Sequence, residues 1–134
     1  MAADKVEFEL VSPERLLLSE RVDMVVVPGA EGDFGVLPRH SPLISTLRPG
    51  VIRVFEGRDV KQRIFVAGGF AEVTPERCTV LAEEAVPVGE IDAAKIDQQI
   101  KDLGEDLADA KTDEEKAAIA RRIKVREAMK AAAA

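Results

Sequence analysis

An all-β sandwich or barrel followed by two antiparallel helices is the fold class the sequence predicts, and three observations carry it. All seven prolines (positions 13, 28, 38, 42, 49, 75 and 87) and eight of the nine glycines precede residue 90, Gly104 being the exception. Such crowding of turn-formers is what a run of short strands with frequent reversals needs. Twelve of the nineteen alanines follow residue 90, in a tail otherwise rich in Lys, Glu, Gln and Leu, which is the composition of helices. Alternation of apolar and polar residues recurs through the first part at roughly ten-residue spacing, the signature of a sandwich or barrel rather than of βαβ units. The break falls at Pro87-Val88-Gly89, so the expected domains are 1–88, a β-sandwich, and 89–134, a two-helix hairpin.

The elements follow in order. Val6-Glu7-Phe8-Glu9-Leu10 puts apolar residues on one face and acids on the other, a half-buried strand. Arg21-Val22-Asp23-Met24-Val25 alternates likewise and runs into an all-apolar stretch ending at Val27. Further strands are expected over 42–47, 51–55, 62–66, 70–74 and 79–83. The reversals between them are Pro28-Gly29, Pro49-Gly50, Glu56-Gly57-Arg58-Asp59, Gly68-Gly69 and Thr74-Pro75-Glu76-Arg77. In the tail, Ile91-Asp92 opens a helix whose Ile96, Ile100, Leu103 and Leu107 make one apolar stripe. Thr112-Asp113-Glu114-Glu115 is a capping box that starts the second helix, with the Thr hydroxyl taking the Glu115 amide while Glu115 reaches back. The second helix carries Ala120, Ile123 and Val125 or Met129 inward, and the short join at 109–111 makes the pair an antiparallel hairpin.

Charge divides the hairpin. Residues 91–115 hold nine acids and three bases, and residues 116–134 hold six bases and one acid. An acidic helix beside a basic one gains cross-helix attraction, each exposed pair contributing only ~0.2–1 kcal/mol and being screened by salt. The stripe is narrow and alanine-rich, so the hairpin is expected to lean on the sandwich or on a partner.

The 134 residues make one ordinary domain, or one domain with a small appendage, enough to bury a real core. A net charge of −6 repels phosphate backbones and argues against nucleic acid as a partner. No apolar run approaches the ~20 residues of a membrane span, so direct insertion is not expected. The N-terminus lacks a basic-then-apolar signal pattern. Cys78 is the only cysteine, so no internal disulfide forms and a reducing compartment is expected.

Candidate chemistry is sparse. Residues 28–40 (PGAEGDFGVLPRH) form the densest unusual stretch. Pro38 and Pro42 forbid the helix whose N-terminus would hold a phosphate, and Glu31 and Asp33 would repel one. The stretch is expected to be a tight surface loop needing positive φ, or a loop that contacts another protein. His40 has no second histidine to share a metal, and its neighbour Ser41 is not thereby placed as a nucleophile; a structural or interface histidine is the expectation. Cys78 is expected to be a buried small hydrophobe. No catalytic residue, no metal site and no cofactor are expected.

Segments 28–47 (PGAEGDFGVLPRHSPLISTL), 49–54 (PGVIRV), 66–73 (VAGGFAEV) and 80–86 (VLAEEAV) resemble the epsilon subunit family of the F-type ATP synthase. Together they cover most of residues 6–89 in the family's order, and the two-helix tail is similar in architecture and length. The resemblance implies a ten-stranded β-sandwich followed by a helical hairpin. It implies a non-catalytic subunit of the central stalk, bound to the gamma subunit and seated on the ring of c subunits, coupling ring rotation to ATP synthesis in the head. A further contact of the hairpin with alpha and beta subunits is implied too. The place would be peripheral, at the cytoplasmic face of a bacterial inner membrane. The loop of Glu31, Gly32 and Asp33, together with His40, would face the c ring, and one face of the sandwich would pack on gamma.

The tail departs from the ATP-binding pattern of some bacterial relatives, an Ile/Leu-Asp-x-x-Arg-Ala motif with arginines one to three turns on. Ile91 and Asp92 keep its start, but Lys95 and Ile96 replace Arg-Ala, and Asp102 and Asp106 stand at the downstream arginine positions. Acids in place of cations oppose a triphosphate, so ATP binding to the hairpin is not expected. The competing class of function is a cytoplasmic sandwich that binds a small ligand and dimerises through its hairpin.

Overall fold

The computed structural model describes residues 4–134. Two compact units divide the protein, Met1–Pro87 and Val88–Ala134. The first unit contains ten strands: β1 (Val6–Val11), β2 (Leu16–Val22), β3 (Met24–Gly29), β4 (Gly32–Val36), β5 (Leu43–Leu47), β6 (Gly50–Glu56), β7 (Asp59–Val66), β8 (Gly69–Val73), β9 (Arg77–Ala82) and β10 (Ala85–Pro87). One layer runs β10-β7-β6-β3 with β4 also on β3; the other runs β5-β8-β9-β1-β2. They join where Gly29 of β3 faces Leu47 of β5. All pairings are antiparallel except β1 with β9, which is parallel.

The core lies between the layers and follows from alternation. Val6, Phe8 and Leu10 of β1 are fully buried while Glu7 and Glu9 point outward. Facing them are Val25 and Val27 of β3 and Ile52 and Val54 of β6, all completely buried. Removing the ring of Phe8 would cost about 3–5 kcal/mol through lost burial and the cavity left. At the β8–β9 end only glycine is possible at position 69: its φ is +129°, and a Cβ there would lie 1.9 Å from the Leu81 carbonyl oxygen.

Ten strands stand where alternation alone indicated seven. β2 and β3 are separate, divided at Asp23, and β2 escaped the alternation because Leu16-Leu17-Leu18 carries no alternating signal. β10 is only three residues long and forms through pairing with β7. β4 corrects the reading of residues 28–40 as one surface loop. Gly32–Val36 is a strand held on β3, with Val25 opposite Val36 and Gly29 opposite Gly32. Positive φ occurs in that stretch at Gly32 (140°) and at Arg39 (67°).

The second unit begins with a 3-10 turn, Val88–Glu90, and then α1 (Ala93–Asp109) and α2 (Asp113–Ala133). Asp92 caps α1, its carboxylate accepting from the amides of Ala94 and Lys95 at 3.1 and 3.3 Å. Ile96 is buried and Ile100, Leu103 and Leu107 are half-buried, the expected stripe. Thr112 caps α2 by accepting from the Glu115 amide at 3.1 Å. Glu115 reaches back one residue further than a capping box requires, to the amide of Lys111 rather than of Thr112. Lys130 Nζ lies 2.6 Å from Asp97, a cross-helix ion pair between the basic and acidic helices.

Candidate interaction surfaces

The first surface is the tip of the β3–β4 hairpin. Ala30 and Glu31 form a two-residue turn between paired Gly29 and Gly32, and Gly32 supplies the positive φ that closes it. Glu31 is exposed. The tip is stitched to the β5–β6 turn at several points. The Ala30 amide donates to the Thr46 carbonyl at 2.9 Å, and the Arg48 amide to the Pro28 carbonyl at 3.0 Å. The Arg48 guanidinium then forks, Nη1 to the Gly29 carbonyl and Nη2 to the Asp33 carboxylate, both at 2.5 Å. Arg53 adds a second cation 3.6 Å from the other Asp33 oxygen.

His40 lies elsewhere. β4 carries the backbone away from the tip by about 13 Å over its five residues. The Leu37–His40 turn then closes with the His40 amide on the Leu37 carbonyl at 3.2 Å. Arg39, in left-handed backbone, is held there by its amide on the Pro75 carbonyl at 2.7 Å and by an ion pair to Asp4. Pro75 belongs to the β8–β9 turn, at the end where Leu43 faces Val73; the tip lies at the opposite end, where Leu47 faces Gly69. The resemblance grouped Glu31, Gly32 and Asp33 with His40 as one ring contact. The structure keeps the first three together and separates His40, because an ordered strand intervenes.

A third surface was not singled out from the sequence. On the outer face of the β5-β8-β9-β1-β2 layer, cross-strand partners form a row: Phe70 opposite Leu81, Leu81 opposite Val11, Val11 opposite Leu16. Phe70, Leu81 and Leu16 are 48%, 39% and 54% exposed, and Ile44 on β5, opposite Glu72 and so diagonal to Phe70, is 69% exposed. The exposed apolar area is on the order of 300 Å², the scale of the largest apolar patch on an ordinary monomer, which is often functional. Ion-paired residues border it on the same face: Arg77 contacts Glu7 at 3.1 Å and Glu9 at 3.6 Å. These acids raise the Arg77 pKa, the hydrogen bond from Arg77 to Glu7 contributing most. Phe70 and Leu81 occupy outward positions that the alternation of their strands marks, but only the register brings them into one row with Val11 and Leu16 across four strands.

In the hairpin, the Asp92 carboxylate is engaged in capping α1, Lys95 is exposed in its first turn, and Ile91 precedes it half-buried. Asp102 accepts from Gln98 at 2.9 Å. Cys78 is buried in the sandwich core, and burial pushes its thiol pKa up to about 12, which removes it as a nucleophile. Among the described residues, no three His, Cys, Asp or Glu side chains gather as a metal site. No helix among them is long and apolar enough to cross a membrane.

Two family models match: the beta-sandwich domain of the ATP synthase Delta/Epsilon chain over residues 5–88, and the C-terminal domain of the ATP synthase epsilon chain over residues 92–133. The protein is 58% identical over 132 residues to the ATP synthase epsilon chain of Paramagnetospirillum magneticum, covering 98% of this chain and 99% of the relative. Identity to the epsilon chain of Rhodospirillum rubrum is 53%, covering 97% of each. The same fold occurs in the Euglena gracilis mitochondrial ATP synthase (OSCP/F1/c-ring), with a TM-score of 0.80 at 23% identity over 97% of this chain and 82% of that one. A component of the Tetrahymena thermophila mitochondrial ATP synthase central stalk/c-ring matches with a TM-score of 0.72 at 16% identity, over 100% of both.

Proposed function

The chain belongs to the epsilon-chain family of the ATP synthase, a non-catalytic subunit of the central stalk, and from that premise we propose how its surfaces are used. The apolar row on the outer face of the β5-β8-β9-β1-β2 layer packs on the gamma subunit. The Glu31 tip of β3–β4 rests on the c ring. The subunit turns with the rotor and couples ring rotation to ATP synthesis in the head, at the cytoplasmic face of a bacterial inner membrane.

The observation that carries this reading is the row itself. An exposed Phe and two Leu in cross-strand register, with an exposed Ile diagonal to the Phe and ion-paired residues at the border, have the anatomy of an interface core with a polar rim. A rotor element must also pass force between its contacts without yielding. The row and the tip adjoin at one end of the sandwich: Phe70 pairs with Thr46, whose carbonyl holds the Ala30 amide of the tip. Load entering at Glu31 therefore reaches the gamma-facing row through a paired, hydrogen-bonded lattice over a close-packed core.

The acidic tip suits polar or basic loops of a ring, and its charge steers docking at low ionic strength. His40, at the far end, is outside that contact. ATP is not a ligand of the hairpin in this reading, since Asp92 is committed to capping and Asp102 and Asp106 present acids where a triphosphate needs cations. The direct test is co-purification with gamma. Replacing Phe70 and Leu81 by Asp should abolish capture of the subunit by gamma while leaving it folded; capture at the wild-type level would refute the assignment of the face.

A further inference from the structure

Two acids occupy the tip, and their surroundings differ. Among the described residues Glu31 makes no hydrogen bond or ion pair through its carboxylate, and it stands at the apex of the turn. Asp33 spends both of its carboxylate oxygens inside the molecule, one on Arg48 at 2.5 Å and one facing Arg53 at 3.6 Å. The same Arg48 guanidinium grips the Gly29 carbonyl. Gly29 and Asp33 lie on the two strands of the hairpin, one on each side of the turn, so Arg48 bridges the hairpin's mouth from the neighbouring β5–β6 turn.

We infer that Asp33 is a positioning residue: with Arg48 and Arg53 it locks the β3–β4 tip onto the β5–β6 turn and so holds Glu31, the unpaired acid, where a partner reads it. The inference rests on the reading of this tip as the ring contact. A two-residue turn projecting from a sheet would otherwise fray, since exposed hairpin ends open at little cost. A lone surface ion pair contributes little, because two long side chains must be held in one geometry. Here Arg48 is held at three points: its amide on Pro28, Nη1 on Gly29 and Nη2 on Asp33. The first two order the arginine before Asp33 engages it, which lowers the entropy that the ion pair must overcome. The consequence for a partner is a division of labour. Neutralising Glu31 removes charge from the contact, whereas neutralising Asp33 leaves the contact charge at Glu31 in place and lets the tip move.

The test uses the full-length protein and two readouts. The first is hydrogen exchange of the amides in residues 29–34 of the isolated protein, which involves no ring. Asp33→Asn and Arg48→Gln should each accelerate that exchange by about three- to tenfold, and the double variant should be no faster than the faster single one. Glu31→Gln should leave exchange unchanged. The second is rebinding to synthase from which this subunit has been stripped, at low and high salt. Glu31→Gln should weaken rebinding chiefly at low salt. Asp33→Asn should weaken it equally at both, and no further when Arg48→Gln is already present. Unchanged exchange in Asp33→Asn would overturn the inference, as would a loss of rebinding that is salt-dependent and fully additive with Arg48→Gln. Normal rebinding of Glu31→Gln, with the Asp33 exchange effect intact, would overturn the ring-contact reading and leave the clamp standing.

Discussion

Truncating Phe70 to alanine tests the proposed gamma-facing row most sharply, because the residue is the largest side chain of the row and is exposed in the free subunit. Its 48% exposure leaves about 100 Å² of a ~200 Å² side chain to be covered by a partner. At about 25 cal/mol per Å² that area is worth about 2.5 kcal/mol, of which alanine would keep a minor part. The expected loss is therefore about 1.5–2 kcal/mol, a rise in Kd of about 10- to 30-fold. The other half of the ring is already covered within the sandwich, so the stability of the isolated subunit should fall by about 1–2 kcal/mol without loss of the fold. Titration calorimetry against a gamma-containing head lacking this subunit measures the first quantity, and denaturant unfolding the second. Leu81→Ala, directly opposite on β9, should show a smaller loss of the same kind. A Kd within about twofold of wild type for folded Phe70→Ala would refute the row as the interface core.

Four further outcomes are expected. Gly69→Ala should be among the most damaging single changes, since a Cβ would fall 1.9 Å from the Leu81 carbonyl oxygen in backbone at φ +129°; its thermal midpoint measures this, and a near-normal one would contradict the account. Cys78, with its thiol pKa at about 12, should resist thiol reagents at about pH 8 until the protein unfolds; stoichiometric labelling of the native protein within minutes would be the contrary result. Asp23 has a pKa lowered from 3.8 by the Gly57 amide, 2.6 Å away, and then by Lys5. A carboxylate depressed in the folded state stabilises above its unfolded pKa and loses that contribution as pH falls through the folded value. The stability gap between wild type and Asp23→Asn should thus persist at about pH 7 and close below about pH 4; a gap independent of pH would count against it. ATP at millimolar concentration should give no binding heat with the isolated subunit and no slower exchange across residues 91–130; a clear isotherm would show that the hairpin retains a nucleotide site.

Strands whose own side chains alternate could be read directly. β1 and β9 declare their inward faces through Val6, Phe8 and Leu10 and through Cys78 and Val80. β4 was hidden because Gly-Asp-Phe-Gly-Val has low strand propensity of its own; it is a strand because β3 pairs with it and Arg48 fastens its first turn. The same feature concealed the split in the candidate contact residues. The resemblance set His40 with Glu31 in one contact, and only the strand between them reveals that they lie at opposite ends. The apolar row needed register: Phe70, Leu81, Val11 and Leu16 are far apart in sequence and meet only once a parallel β1–β9 pairing is known. Caps, by contrast, are local chemistry, and Thr112 with Glu115 was legible down to its amide bond.

The proposed role of this subunit is to couple the ring to the head. Proton-driven ATP synthesis in vesicles containing the synthase with and without the subunit measures that coupling directly. The account predicts that synthesis collapses without the subunit while the head still hydrolyses ATP, and that adding back the wild-type protein restores it but a Phe70→Asp/Leu81→Asp variant does not. Full proton-driven synthesis in the preparation lacking the subunit would contradict it.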